Sequence, residues 1–297
     1  MLLFDAGLLS LGVWLIQAGG AAGHALSQVL FAVVFFNSFS ILHECGHGSA
    51  SPSKAFNTLV GHYVSLLCFI PYFPWVYIHR QHHAWAGNID RDPDLKSLKR
   101  WGERGGVQWP VRIAWRSWSP LGAFLQHVVY LSYPLEMVKS GEMTRGKAVR
   151  CAASVALLPT AYVALAFMFP EAAHPLNYVP ALLLFLIAEE LVNLPHHVDM
   201  STVRAKLPVW EQPRATRSCY YPRGISELCV LNFNFHIEHH LFPSLPWFRL
   251  RRARVLVREA LGDDYTEAVG VSWNVSRRGR SIETVVSLPT SQATEAG

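Results

Sequence analysis

The chain has 297 residues, of which 51% are hydrophobic and 16% charged, with a formal net charge of +5 and a pI near 9.0. A soluble domain carries about 25% charged residues, so the composition excludes a disordered chain, a collagen and a disulfide miniprotein and leaves a membrane protein or an unusually apolar soluble one. Five cysteines, an odd number with no Cys-x-x-Cys pair, exclude a disulfide framework and fit a reduced compartment.

The charge map favours the membrane. No charged residue occurs from Ala6 to Leu42, and Lys54 is the first basic residue. That run holds two passes of the length a bilayer needs, over 6–20 and 25–47, with Gly19, Gly20 and Gly23 at the turn. The basic n-region of a cleavable signal peptide is missing. The second pass ends on His43-Glu-Cys-Gly-His47, an H-x3-H box.

Residues 55–78 are also uncharged, but Gly61, Pro71 and Pro74 argue against an unbroken spanning helix. We read this stretch as a re-entrant or interfacial hairpin, and 117–135, with Pro120 and Pro134, as interfacial too. Between them lies His79-Arg-Gln-His82-His83, an H-x2-H-H box followed by Asp90 and Asp92. Trp75, Trp85, Trp101, Trp109, Trp115 and Trp118 read as an interfacial belt.

Two further apolar runs predict spans over 150–170 and 176–197, turning at Pro170 and Pro175 and ending on Asn193-Leu-Pro-His196-His197. The adjacent acids Glu189 and Glu190 sit near the end of the last span, where charge is costly, and call for a metal ligand or a loop arginine as partner. A second H-x2-H-H, His236-Ile-Glu238-His239-His240, follows in the final segment. Residues 286–297 are polar and expected to fray.

Lys and Arg are absent from both short turns, so the positive-inside rule puts 48–149, 198–297 and both termini in the cytoplasm. The basic pI then reflects loops near anionic headgroups rather than nucleic acid. The expected architecture is one all-α integral membrane domain: four transmembrane helices in two hairpins, interfacial helices, and a cytoplasmic helical cap. Two passes separate the second and third boxes, so all three boxes face one side. With 14 histidines in the chain, chance supplies roughly 0.03 H-x2-H-H motifs, and there are two. Residues at i, i+3 and i+4 share a helix face, so each box aims two or three imidazoles at one point. Eight box histidines and one from His196–His197 overfill a tetrahedral zinc and point to two metals.

The runs His43 to Gly48, Pro71 to Trp75, His79 to Asp92 and Asn234 to Pro243 resemble the membrane fatty acid desaturases, most closely the delta-12/omega-6 branch. The resemblance implies an O2-dependent oxidoreductase that introduces a C=C bond into a fatty acyl chain. It implies a di-iron site on His43, His47, His79, His82, His83, His236, His239 and His240, and a ninth histidine four residues after an Asn. Asn193 and His197 fit that pattern, with Asn193 near an iron through water and His196 left over. Glu44, Glu238, Asp90 and Asp92 are expected to orient imidazole N–H groups. The acyl substrate enters from the bilayer. No His-Pro-Gly-Gly haem motif occurs, so electrons come from a separate ferredoxin, rubredoxin or cytochrome b5. A bacterial inner membrane is the expected location, or an ER-type membrane in a eukaryote.

Departures from the family are a short region before the first box, Trp85-Ala-Gly87 after the second, and the segment Trp210 to Arg217. Hydroxylases, acetylenases, carotenoid ketolases and terminal-alkene-forming decarboxylases share the scaffold. His43-Glu-Cys-Gly-His47 also matches the H-E-x-x-H of zinc proteases, but that reading leaves both H-x2-H-H boxes unexplained. A haem electron carrier needs axial pairs, not clusters.

Overall fold

The computed structural model describes residues 1–103, 108–141, 143–171, 173–280 and 282. The tail expected to fray, 286–297, lies outside the described residues. The helices are α1 (Leu2–Ala18), α2 (Gly20–His47), α3 (Lys54–Cys68), α4 (Tyr72–Trp85), α5 (Pro93–Glu103), α6 (Gln108–Ser117), α7 (Leu121–Lys139), α8 (Arg145–Met168), α9 (Val179–His197), α10 (His236–Leu241), α11 (Trp247–Leu261) and α12 (Gly270–Arg277). The helical expectation holds with one exception. Strands β1 (Ser218–Tyr220) and β2 (Glu267–Val269) pair in parallel, Cys219 opposite Ala268.

Among the described residues three helices, α2, α8 and α9, are long and apolar enough to cross a membrane, or four if the bent pair α3–α4 is one span. The stretch expected as the first span is the shorter helix α1, apolar and 17 residues long. At 1.5 Å per residue it measures about 26 Å, a little under the hydrocarbon thickness.

Two compact units make up the chain. The first comprises Met1–Val76, His127–Glu189 and Leu228–Leu231. Here Gly19 ends α1, and Gly20, at φ 58°, starts α2. Gly12 lies flat against Phe31, where an added Cβ would stand 2.3 Å from the ring. Such small residues let apolar helices pack closely. Buried polar groups on α2 bind its neighbours: the Asn37 amide donates to Asp5 Oδ1 (2.9 Å) and the Leu228 carbonyl (3.0 Å), and Gln28 Oε1 accepts from the Ala181 amide (3.2 Å). His24 stands 2.9 Å from the Leu176 carbonyl and joins the two short turns. On α8, Val163, Leu165, Phe167 and Met168 are exposed, an apolar surface suited to lipid.

α3 and α4 meet at 98°. The break expected from Gly61, Pro71 and Pro74 has a narrower cause. Phe69 adopts φ 60°, and Pro71 blocks continuation of the helix. Pro74 sits in the first turn of α4, where no backbone donor is required, and Gly61 leaves α3 intact. Gly61 makes room for the Tyr72 ring, whose hydroxyl donates to the Cys45 carbonyl (3.1 Å).

The second unit comprises Tyr77–Gln126, Glu190–Glu227 and Asn232–Gly297. Trp115 and Trp273 pack in its core with Val111, Val198 and Ile282. Trp115 therefore leaves the expected belt, as does Trp75, buried in the first unit, while Trp109 is exposed. The polar groups on Trp115 explain why it is buried here without penalty: its indole N–H reaches the carbonyls of Arg277 (3.0 Å) and Arg280 (2.9 Å).

Candidate metal centre

The first box occupies the last turn of α2. Gly48, at φ 74°, ends that helix, with its N–H donating to Cys45 and that of Ser49 to Glu44. The rings of His43 and His47 lie 4.8 Å apart. Gly46 faces Trp75, whose ring would stand 2.6 Å from an added Cβ. Glu44 is buried and accepts from the Ser49 hydroxyl (3.0 Å).

The remaining boxes lie in the second unit. His82 and His83 end α4, His197 ends α9, and His236, His239 and His240 make up half of α10. His82, His197, His236 and His240 each offer a nitrogen within 4.8 Å of the others. His197 Nε2 is 3.1 Å from His82 Nε2 and 2.9 Å from His236 Nε2, and His82 Nε2 is 3.3 Å from His240 Nε2. Beside them, His83 Nε2 is 3.0 Å from His79 Nε2 and 2.8 Å from His239 Nε2.

Three of the first four rings have their other nitrogen fixed by an acceptor. His82 Nδ1 donates to Asp92 Oδ1 (2.9 Å), His197 Nδ1 to the Ala215 carbonyl (3.1 Å), and His240 Nδ1 to Gln212 Oε1 (2.8 Å). A ring protonated at Nδ1 presents the Nε2 lone pair, the form that binds metal. Burial, then the surrounding imidazoles, holds His240 well below the usual histidine range, so its ring is neutral. Converging lone pairs repel unless a cation sits among them. The donor set therefore fits a metal. All-imidazole ligation suits iron, copper, nickel and zinc alike, so the nitrogens do not select among them.

The carboxylates expected beside the rings divide. Asp92 is fully buried and reaches His82; its second oxygen accepts from the Gly87 amide (3.2 Å). Asp90 does not serve an imidazole: it pairs at the surface with Lys99 (3.2 Å). Local geometry explains the difference, because Asn88 Oδ1 accepts the amides of Asp90 and Arg91, a turn that sends Asp90 outward and Asp92 in. Glu238 is also corrected. Both its oxygens are taken by hydroxyls, those of Ser218 (2.7 Å) and Tyr265 (2.7 Å), so it anchors α10 beside the β1–β2 pair. Asn193 is half-buried one turn before His197. His196 is buried and stacks on His236, centroids 4.2 Å apart and planes 13° apart.

Spacing missed several contributors, Gly87, Gln212 and Asp94, whose Oδ2 lies 3.4 Å from His82 Nδ1, among them. Gly87, at φ 79°, packs against Ala215 so closely that an added Cβ would lie 2.4 Å from the alanine methyl. Gln212 comes from the segment that had no family counterpart. The only sequence signal for either was departure from the family pattern at those positions.

A family model described as Fatty acid desaturase matches residues 20–269. The chain is similar to an sn-1 acyl-lipid omega-3 desaturase (ferredoxin) of Synechocystis, 25% identical over 86% of this chain and 77% of the relative. It is 26% identical to the omega-3 fatty acid desaturase fat-1 of Caenorhabditis elegans over 82% of this chain and 62% of that relative. An sn-1 oleoyl-lipid 12-desaturase of Anabaena variabilis is 23% identical over 91% of this chain and 79% of the relative.

Proposed function

This chain belongs to the fatty acid desaturase family, and on that footing we propose that it is a membrane acyl-lipid desaturase with two histidine-held irons. The observation that carries the reading is the set of four converging imidazoles, three buried and one half-buried, three of them with the outer nitrogen bonded to an acceptor. His82, His197, His236 and His240 would hold one iron. His79, His83 and His239, with His43 and His47, would hold the other, and Asn193 would bind a water near the first. His43 and His47 are included because the family resemblance counts the first box among the ligands.

When bound, the irons supply O2-dependent removal of two hydrogens from adjacent acyl carbons. The balance is one CH2–CH2, one O2, two electrons and two protons to one CH=CH and two waters. The substrate provides two of the four electrons that O2 takes, so an external donor provides the other two. Relatives are named with ferredoxin and with cytochrome b5, and a small one-electron carrier of that class fits here. Asp92, the Ala215 carbonyl and Gln212 hold the Nδ1 atoms of His82, His197 and His240 and so aim their Nε2 atoms at one point. Burial of His82, His236 and His240 would limit the access of bulk water to this set.

The substrate class is an acyl chain on a lipid, supported by the relatives' names and by apolar helices that reach it from the bilayer. Expression in a host with a suitable reductase and lipid profiling by mass spectrometry tests the activity. A new double bond is expected; a hydroxyl, a ketone or a lost carbon as sole product overturns it.

We place four spans, with α1 as the first, and put both termini and the metals in the cytoplasm. The support is the absence of Lys and Arg from the two short turns. In intact cells a membrane-impermeant thiol reagent is expected to label Ala21→Cys and to spare Gly102→Cys until the membrane is permeabilised. The reverse pattern overturns the orientation.

A further inference from the structure

Gln212 lies in a short 3-10 turn, Val209–Arg214, and its side chain is buried. Its two polar atoms do different work. Oε1 accepts from His240 Nδ1 (2.8 Å), and Nε2 donates to the main-chain carbonyl of His83 (2.8 Å). These partners fix which way the amide faces, since the flipped amide sets N–H against N–H and oxygen against oxygen. No other side chain of this length offers a neutral acceptor and a donor together.

The partners belong to different histidine sets. His240 is one of the four rings that include His197, and His83 is one of a set that includes His79 and His239. The His83 and His240 rings stack at 4.4 Å between centroids. The same turn also supplies the acceptor for a further ligand. Ala215, whose amide donates to the Gln212 carbonyl (2.9 Å), receives His197 Nδ1 on its own carbonyl. One turn thus orients two rings of one set and holds the backbone of a ring in the other.

We infer that Gln212 is a positioning residue that selects the metal-binding tautomer of His240 and ties it to His83, so that the two histidine sets fill with metal together. This rests on the reading that both sets hold metal. Loss of an acceptor behind a ligating histidine lowers metal affinity about 10- to 100-fold. The tie to His83 adds a second consequence, coupling between the sites, which a peg that only folds the turn would not produce.

The test uses the purified full chain in detergent, stripped of metal and titrated with Co(II) against a competing chelator, with the cobalt absorption bands and metal per chain as readouts. Wild type is expected to take two ions in one step. Gln212→Met, of similar size and without either hydrogen bond, is expected to take them in two steps, the weaker about 10- to 100-fold weaker. Gln212→Glu keeps the acceptor for His240 but loses the donor to His83; it is expected to recover the affinity and keep the two steps. Thermal unfolding of the metal-free proteins separates these effects from misfolding. If Gln212→Met matches wild type, the inference falls, and if that variant does not fold, one-step filling of Gln212→Glu overturns it instead. A folded wild type that takes fewer than two ions overturns the two-metal reading beneath it, and the inference with it.

Discussion

His197→Ala is expected to abolish turnover and lower the metal content of the purified protein, whereas His196→Ala keeps its metal and measurable turnover. Adjacent helical residues point about 100° apart, so the two rings cannot serve one ion alike. His197 has its Nδ1 on the Ala215 carbonyl and its Nε2 within 3.1 Å of His82 and 2.9 Å of His236. Removing it takes one nitrogen from a set of four. His196 lies on the other side, stacked on His236 and beside Phe233, and both of its buried ring nitrogens lack a partner among the described residues. A buried polar ring with no hydrogen bond contributes shape rather than polarity. His196→Phe is therefore expected to keep metal content near wild type. Metal analysis of the three variants decides the matter. Loss of metal from His196→Ala with retention in His197→Ala shows the register of α9 to be wrong by one residue.

Arg277→Met is expected to be the most destabilising change away from the histidines. Arg277 is fully buried and pairs with Glu190 (3.2 Å), whose other oxygen accepts the amides of Gly122 (2.9 Å) and Ala123 (3.3 Å). Removing one partner of a buried ion pair leaves an uncompensated charge and costs about 3–5 kcal/mol. Glu190 stands on the last two turns of α9, so the damage is transmitted to the helix that carries His197. Replacing both partners removes the charge problem, and the double variant Arg277→Met with Glu190→Gln is expected to recover most of the loss. Unfolding midpoints of the two single variants and the double variant measure this. Additive losses in the double variant refute the pairing.

Much of this protein was legible in its residues because the bilayer and the metal impose simple rules. Long apolar runs locate α2, α8 and α9, because a bilayer span needs about 20 predominantly apolar residues. Spacings of three and four put imidazoles on one helix face, while the preference for His197 over His196 rests on the family resemblance, whose pattern sets an Asn four residues before the histidine. Glu189 and Glu190 announced themselves as acids in an apolar helix that needed a metal ligand or a loop arginine as partner, and Glu190 has Arg277.

What those rules leave open is decided by partners far away in the chain. Asp90 and Asp92 are equivalent by composition and spacing; the Asn88 turn sends one to Lys99 and the other to His82. Glu238 sits between box histidines yet serves Ser218 and Tyr265, because a three-residue strand pair brings those hydroxyls to it. Trp115 reads as an interfacial residue until two carbonyls from the end of α12 and just beyond it take its N–H. Gln212 is 28 positions from His240 and 129 from His83. Local periodicity aims a side chain, but only tertiary packing decides which acceptor waits behind it, and for His82, His197 and His240 those acceptors leave Nε2 facing the other rings.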